Sequence, residues 1–258
     1  MMRIALLVVA VGLGGGCRAA EDEASAGPAR RPGEKAGAVL VELFTSQGCS
    51  SCPPADRLLP LLPGAVDGVE VLPLALHVDY WDDLGWRDPF SSAAWSERQR
   101  RYAPAVSDGR VYTPQMVVQG RADLNGADRS GAIDAIRRAA EPAPRGRISA
   151  VTTGGEHLTV TVDAALPAGK ARADAWVALT ESGLSTRVAR GENKGLEMIN
   201  DHVVRRLSAA FTVEAGASRQ GKVDLPIDPS WRRDHLDVIV FLQDPASQRV
   251  LAAARAVK

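Results

Sequence analysis

The segment AVLVELFTSQGCSSCPPADRLLPLL, residues 38–62, changes character twice over a short span. Ala38 to Phe44 is a near-continuous apolar run, the pattern of a strand buried on both faces. A Thr-Ser-Gln-Gly loop follows and leads into Cys49-Ser-Ser-Cys52. Pro53 and Pro54 come next, and proline is tolerated in the first turn of a helix and nowhere deeper. A helix is therefore expected to begin within a residue or two of Cys52 and to end near Pro63-Gly64. Val69 to Val78 (VEVLPLALHV) reads as a second apolar strand, with Pro73 suited to an edge or a bulge. Strand, helix, strand in this order is a parallel unit.

Working outward, Ser91 to Tyr102 reads as a helix, and 114–119 with 121–124 as a hairpin across Gly120. Asp128 to Ala140 reads as a helix capped by Asp128, with Ile133 and Ile136 facing inward. One α/β domain is expected over 38–143. From Gly146 the pattern changes to strand-length alternation punctuated by Gly154-Gly155, Pro167-Ala-Gly169 and Asp244-Pro245. Residues 146–258 are expected to form a separate β-sandwich-like domain of about eight strands.

Composition fits a globular protein: 45% hydrophobic and 24% charged residues exclude wholesale disorder or a fibre. Thirty-one Lys+Arg balance 31 Asp+Glu, which argues against nucleic-acid binding, since such proteins carry a basic excess or stripe. Residues 1–16 read as an export signal: Arg3 is the positive n-region and Ile4 to Leu13 the apolar h-region. Gly14-Gly-Gly16 then meets Cys17, which resembles the lipobox of bacterial lipoproteins, although Leu13 stands four residues before the cysteine rather than three. Cys17 is the expected lipidation site, with plain secretion as the alternative. Residues 17–37, without a large apolar side chain, read as a tether holding the domain to a membrane outside the cytoplasm.

That assignment leaves Cys49 and Cys52 as a pair. A helix start presents unpaired N–H groups and partial positive charge, which stabilise a thiolate. Cys49 is then the expected nucleophile and Cys52 the resolving thiol. A structural disulfide and a Cu(I) or Zn site using both thiolates and His77 are the competing readings. His77 and Asp79 end the second strand, where ligands collect in open α/β sheets, so both are expected near the dithiol. Seven of the twelve aromatics fall between Tyr80 and Tyr112. Trp81 among them is expected to line a wall over the site; a small satellite core is the plainer alternative.

Together with Thr113-Pro114, the dithiol and the element order resemble the thioredoxin superfamily. The resemblance implies that Pro114 is cis, that Thr113 and Pro114 shape a peptide groove beside the cysteines, and that Glu42 acts as a buried acid serving Cys52. Glu42 stands one loop residue further from the dithiol than that pattern has. The strings Phe44–Asp56, His77-Val-Asp-Tyr-Trp-Asp82, Gly85-Trp-Arg-Asp-Pro-Phe90, Val111–Val118, Arg190-Gly-Glu-Asn193 and Asn200-Asp-His-Val-Val-Arg205 are similar to a bacterial secreted-protein family known as domain of unknown function 1223. That likeness implies export and a thioredoxin-like domain, but no reaction. The expectation is a thiol–disulfide oxidoreductase without cofactor or resident metal. Its partners would be protein thiols or disulfides and a redox partner protein. A non-catalytic binding lipoprotein is the alternative.

Overall fold

Two faces of one strand organise the fold. In the computed structural model, which describes Met1 and residues 37–141, 146–154, 157–169 and 172–258, β1 spans Val39–Thr45 with every residue buried. Its odd-numbered side chains, Val39, Val41 and Leu43, enter a core shared with Ala55, Leu58, Leu62 and Ile136. Its even-numbered Leu40 and Phe44 enter a second core with Trp95 and Tyr102. Period-two alternation with apolar cover on both sides is why the run is unbroken. The export signal, Cys17 and nearly all of the tether lie outside the described residues. Among the described residues no helix is long and apolar enough to cross a membrane.

Helix α1 (Pro53–Leu58) begins directly after Cys52 and tightens into a 3-10 turn over Leu59–Leu61. β2 (Val71–His77) returns parallel to β1, with Val39 opposite Val71 and Thr45 opposite His77. Then come α2 (Ala93–Val106), the hairpin β3 (Gln115–Val118) and β4 (Ala122–Asn125), and α3 (Arg129–Ala140) with Asp128 as N-cap. The hairpin turns through Gln119 and Gly120, both at positive φ. A side chain at Gly120 would meet the Gln248 carbonyl oxygen at 2.0 Å, so only glycine fits there.

The separate β-sandwich expected for 146–258 is not what forms. The later strands are β5 (Arg147–Gly154), β6 (His157–Ala165), β7 (Ala173–Glu181), β8 (Leu184–Arg187), β9 (Glu197–Asn200), β10 (Val203–Val213), β11 (Ser218–Pro226), β12 (Leu236–Gln243) and β13 (Val250–Arg255). Four of them extend the first sheet, giving the order β13-β12-β7-β10-β2-β1-β3-β4. β10 joins alongside β2, where the Ala75 N–H donates to the His202 carbonyl at 2.8 Å. Only β11, β6 and β5 form a second layer, packed through Val160, Val162 and Leu225 onto Val177, Leu179 and Val240. The described residues from 37 onward thus build one mixed α/β unit with a large mixed sheet and few helices. Hydrophobic alternation reports that a segment is a strand; it carries no label for the edge it pairs with.

β2 is accordingly an interior strand, not the edge that Pro73 suggested. Ala75 donates toward β10, and alternation sends the position of the missing Pro73 N–H the same way. The β2–β10 pairing is confined to Val203 opposite Ala75, so no ladder bond is lost at Pro73.

Candidate functional site

The loop leaving β1 folds back on itself through bonds from Cys49 N to Ser46 O and from Cys52 N to Cys49 O, each 3.2 Å. Cys49 and Cys52 are joined as a disulfide, with Cα atoms 5.4 Å apart. Both are fully buried, while Ser50 and Ser51 between them are exposed. The expected open donors of a helix start are largely missing. Pro53 and Pro54 carry no N–H, and the Ala55 and Asp56 N–H groups both bond the Cys52 carbonyl. The Gln47 and Ser50 N–H groups are held by Asp88 and Glu192. The polar group beside the first sulfur is instead the Ser51 hydroxyl, 3.3 Å from Cys49 Sγ and placed to donate to a thiolate.

The C-terminal half reaches this loop through the hairpin β8–β9. Asn193 donates from Nδ2 to the carbonyls of Gln47 and Cys49, 2.9 Å each. Glu192 accepts from the Ser50 N–H at 3.0 Å, and Asn200 accepts from Gln47 Nε2 at 2.8 Å. Glycines at 85 and 191 let the two loops close on each other; a Cβ on Gly191 would stand 3.0 Å from that of Trp86. Residues 190–193 carried a sequence signal without a role, and contact with the dithiol loop is that role. An Asn193→Ala variant is expected to loosen the loop. Losing two bonds of about 1 kcal/mol each should speed reduction of the disulfide by dithiothreitol roughly tenfold or more. Stopped-flow reduction kinetics check this, and an unchanged rate would show that the clamp does not limit access.

Thr113-Pro114 is a cis peptide bond, with Pro114 buried just before β3. Trp81 links it to the dithiol loop: Nε1 donates to Thr113 Oγ1 at 2.9 Å, and a Cβ on Gly48 would lie 3.2 Å from that of Trp81. On the other side Gly126 donates its N–H to the Pro114 carbonyl at 3.0 Å. A side chain at Gly126 would overlap Leu43, Ala55 of α1 and Pro114. Trp81, Thr113 and Pro114 are therefore gathered around the start of α1.

The remaining expected residues divide. Glu42 is an even-numbered residue of β1 and faces α2, away from α1. It accepts from Arg98 Nε at 2.5 Å and Nη2 at 3.1 Å, and from the Tyr102 hydroxyl. Both members of the ion pair are fully buried. Strand parity, not distance along the chain, removes Glu42 from the dithiol. Asp79 is tied to α2, where its Oδ1 accepts from the Ser96 hydroxyl. His77 lies on the α1 face, buried, with Nδ1 2.7 Å from Asp88 Oδ2. Among the described residues no group of three His, Cys, Asp or Glu side chains is arranged to hold a metal, so His77 and the thiolates are not brought together as ligands.

Asp56, one turn after Cys52, is the residue the sequence reading passed over, although it closes the quoted cysteine string. Its Oδ1 accepts from Thr45 Oγ1 at 2.7 Å, and its Oδ2 has no partner among the described residues. His77 Nε2 is likewise buried and unpartnered. Burial pushes the Asp56 carboxyl up to about 6, against the pull of His77 and the Thr45 hydroxyl. Burial acts to lower His77, but the charge and hydrogen bond of Asp88 hold it raised overall. Burial acts to raise Asp88, yet His77 and two backbone N–H groups keep it lowered.

These directions fix a pH dependence. The folded chain holds the Asp56 proton to about pH 6, against 3.8 for the ordinary carboxyl, so the associated stability is present below about pH 4 and is lost as pH rises through 6. His77, also raised, has the same sign and its stability is lost as pH climbs through its folded value. Asp88 has the opposite sign, and its stability is lost on acidification. Asp56→Asn should thus gain on the order of 2–3 kcal/mol over the native chain between pH 4 and pH 7. Denaturant unfolding at the two pH values measures it, and equal differences at both would contradict the assignment.

Fold and site together define a mixed α/β protein with a buried disulfide at a strand-to-helix turn, clamped by its own β8–β9 hairpin. The chain belongs to the family described as "Protein of unknown function (DUF1223)", whose model matches residues 40–243. It is similar to a protein of Agrobacterium tumefaciens of known crystal structure, with 30% identity and a TM-score of 0.64, covering 87% of this chain and 96% of that one. It also shares the fold of HBP35 of Porphyromonas gingivalis at 14% identity, with a TM-score of 0.64 over 86% of this chain and 76% of that one. No curated protein matches the chain.

Proposed function

We propose that the protein is an exported thiol–disulfide oxidoreductase with a thioredoxin-like centre, anchored to a bacterial membrane through lipid on Cys17. The observation that carries the reading is the Cys49–Cys52 bridge itself. It closes across a sequence separation of three, inside a loop already held by Asn193, Glu192 and Asp88. Cross-link stabilisation grows with the logarithm of the loop closed, so this one adds less to folding than a long-range bridge would. Trp81 and Thr113-Pro114 beside the dithiol loop support the same reading, since together they offer an aromatic wall and a backbone turn for a peptide.

In the reducing direction the Cys49 thiolate attacks a substrate disulfide. A mixed disulfide forms and one substrate sulfur leaves as thiolate. Cys52 then attacks Cys49 Sγ, the substrate's second sulfur leaves, and the Cys49–Cys52 disulfide is regenerated. Two electrons pass to the substrate, and a dithiol partner protein restores the reduced pair. Run backwards, the same steps oxidise a substrate dithiol. Neither direction uses a cofactor, and the partners are protein thiols and disulfides rather than nucleic acid.

The reduction potential of the Cys49–Cys52 pair, measured against glutathione buffers, tests the reading. A value between about −270 and −120 mV fits an exchange catalyst, whereas one below about −300 mV would mark an inert structural bridge. Anchoring is tested separately by labelled fatty-acid incorporation, which Cys17→Ser should abolish.

A further inference from the structure

A disulfide buried under its own loop needs somewhere for a proton to go. When the pair closes, Cys52 must lose its proton before its sulfur can attack. When the pair opens, the leaving Cys52 thiolate must gain one. Cys52 has no exposed surface, so direct exchange with water is blocked while the loop is clamped. Glu42 is on the wrong face of the sheet to serve it.

The opposite face holds a buried cluster of Thr45, Asp56, His77 and Asp88. Asp56 follows Cys52 by one helical turn, on the same buried side of α1, with its N–H bonded to the Cys52 carbonyl at 3.1 Å. Thr45 and His77 are register partners on β1 and β2, and the Thr45 hydroxyl bonds Asp56, so the carboxyl lies over that pair. Asp88 fixes His77 through Nδ1 and holds the dithiol loop through the Gln47 N–H, both at 2.7 Å on one carboxylate oxygen. The two buried side-chain atoms left without a partner among the described residues are Asp56 Oδ2 and His77 Nε2. Both belong to this cluster; an unpaired buried polar atom is costly, and one that a fold retains calls for an explanation such as a catalytic role.

We propose that Asp56, poised by His77 and Asp88, takes the proton from Cys52 when the dithiol closes and returns it when the disulfide opens. The inference rests on the exchange reaction proposed above. Asp56 is the acid–base group, and His77 and Asp88 position and charge it. Other charges facing the cluster are Arg57 of α1 and Arg205 of β10, the latter paired with Glu181 of β7. The raised carboxyl of Asp56 suits the task, because a general base works best near the operating pH. In closing, the Cys52 S–H bond breaks to Asp56, the sulfur lone pair forms the bond to Cys49 Sγ, and the substrate sulfur leaves with the electron pair.

The test is the ring-closing rate of the reduced full chain with oxidised glutathione, taken where the rate no longer rises with glutathione concentration. The native rate should rise with pH through an inflection near the Asp56 value and then level off. Asp56→Asn should be slower at pH 7 by about tenfold or more and should recover only as Cys52 itself ionises in the alkaline range. Thr45→Val removes a hydrogen bond that favours the carboxylate, and His77→Gln removes a positive charge, so each should move the inflection upward. These two variants decide the matter if Asp56→Asn does not fold. A native pH profile in Asp56→Asn, or an unmoved inflection in both other variants, would overturn the proposal. If the native chain does not react with oxidised glutathione at all, the exchange reaction itself fails.

Discussion

Cys52→Ser is expected to turn the protein into a trap. Its Cys49 can still attack a disulfide, but nothing resolves the product, so adducts accumulate through Cys49. With oxidised glutathione, mass spectrometry should show one glutathione per chain, stable until reductant is added. The native chain should pass through that adduct and return to its internal disulfide. Cys49→Ser should give no adduct at this site, and both variants should lose catalysed turnover entirely. The asymmetry is the informative outcome: a structural bridge would leave two equivalent thiols, and adducts would form on whichever cysteine remained. Equal labelling of the two single variants would therefore remove the nucleophile assignment. The burial of Cys49 and the Asn193 clamp add a kinetic expectation, namely that adduct formation speeds up when the clamp is removed.

The second large effect lies on the other face of the sheet. Glu42 and Arg98 form a fully buried ion pair, ringed by Tyr102 and Gln243, with the guanidinium also over the rings of Trp176 and Phe241. Burying two charges is costly, and the pair is tolerable only because each partner satisfies the other. Removing one leaves the other stranded. Arg98→Met should cost about 3–5 kcal/mol, whereas the double variant Glu42→Leu with Arg98→Met should cost clearly less. Urea unfolding of the single and double variants measures this. A double variant as unstable as the single would show that the cost comes from lost packing around the guanidinium and not from the stranded carboxylate. Glu42→Gln, where it folds, should keep the native ring-closing rate per folded molecule, since Glu42 faces away from Cys52.

Particular residues show how far the chain could be read unaided. The strand at 39–45, the helix start after Cys52 and the Asp128 cap are fixed by short-range physics: alternation, the absent proline N–H, and a side-chain oxygen meeting a free backbone donor. The cis bond at Thr113-Pro114 was implied by the family resemblance alone, whereas its link to the dithiol loop through Trp81 is visible only in the structure. Glu42 was misplaced because chain proximity says nothing about which face of a strand a side chain takes. Asp56 was missed because an aspartate in an exposed-looking helical turn reads as surface until Thr45 and His77 are seen beneath it.

The sequence alone determined the local elements, the division of three cysteines into one before the domain and two within it, and the family to which the chain belongs. Tertiary structure decided that strands beyond residue 172 complete the first sheet instead of forming a sandwich of their own. It also placed Asn193 and Glu192 on a dithiol more than 140 residues earlier in the chain. Helix starts, caps and alternation are set by neighbours a few bonds away. Edge pairing, face and long-range contact depend on which surfaces remain open once those elements pack, and that information belongs to the assembled fold.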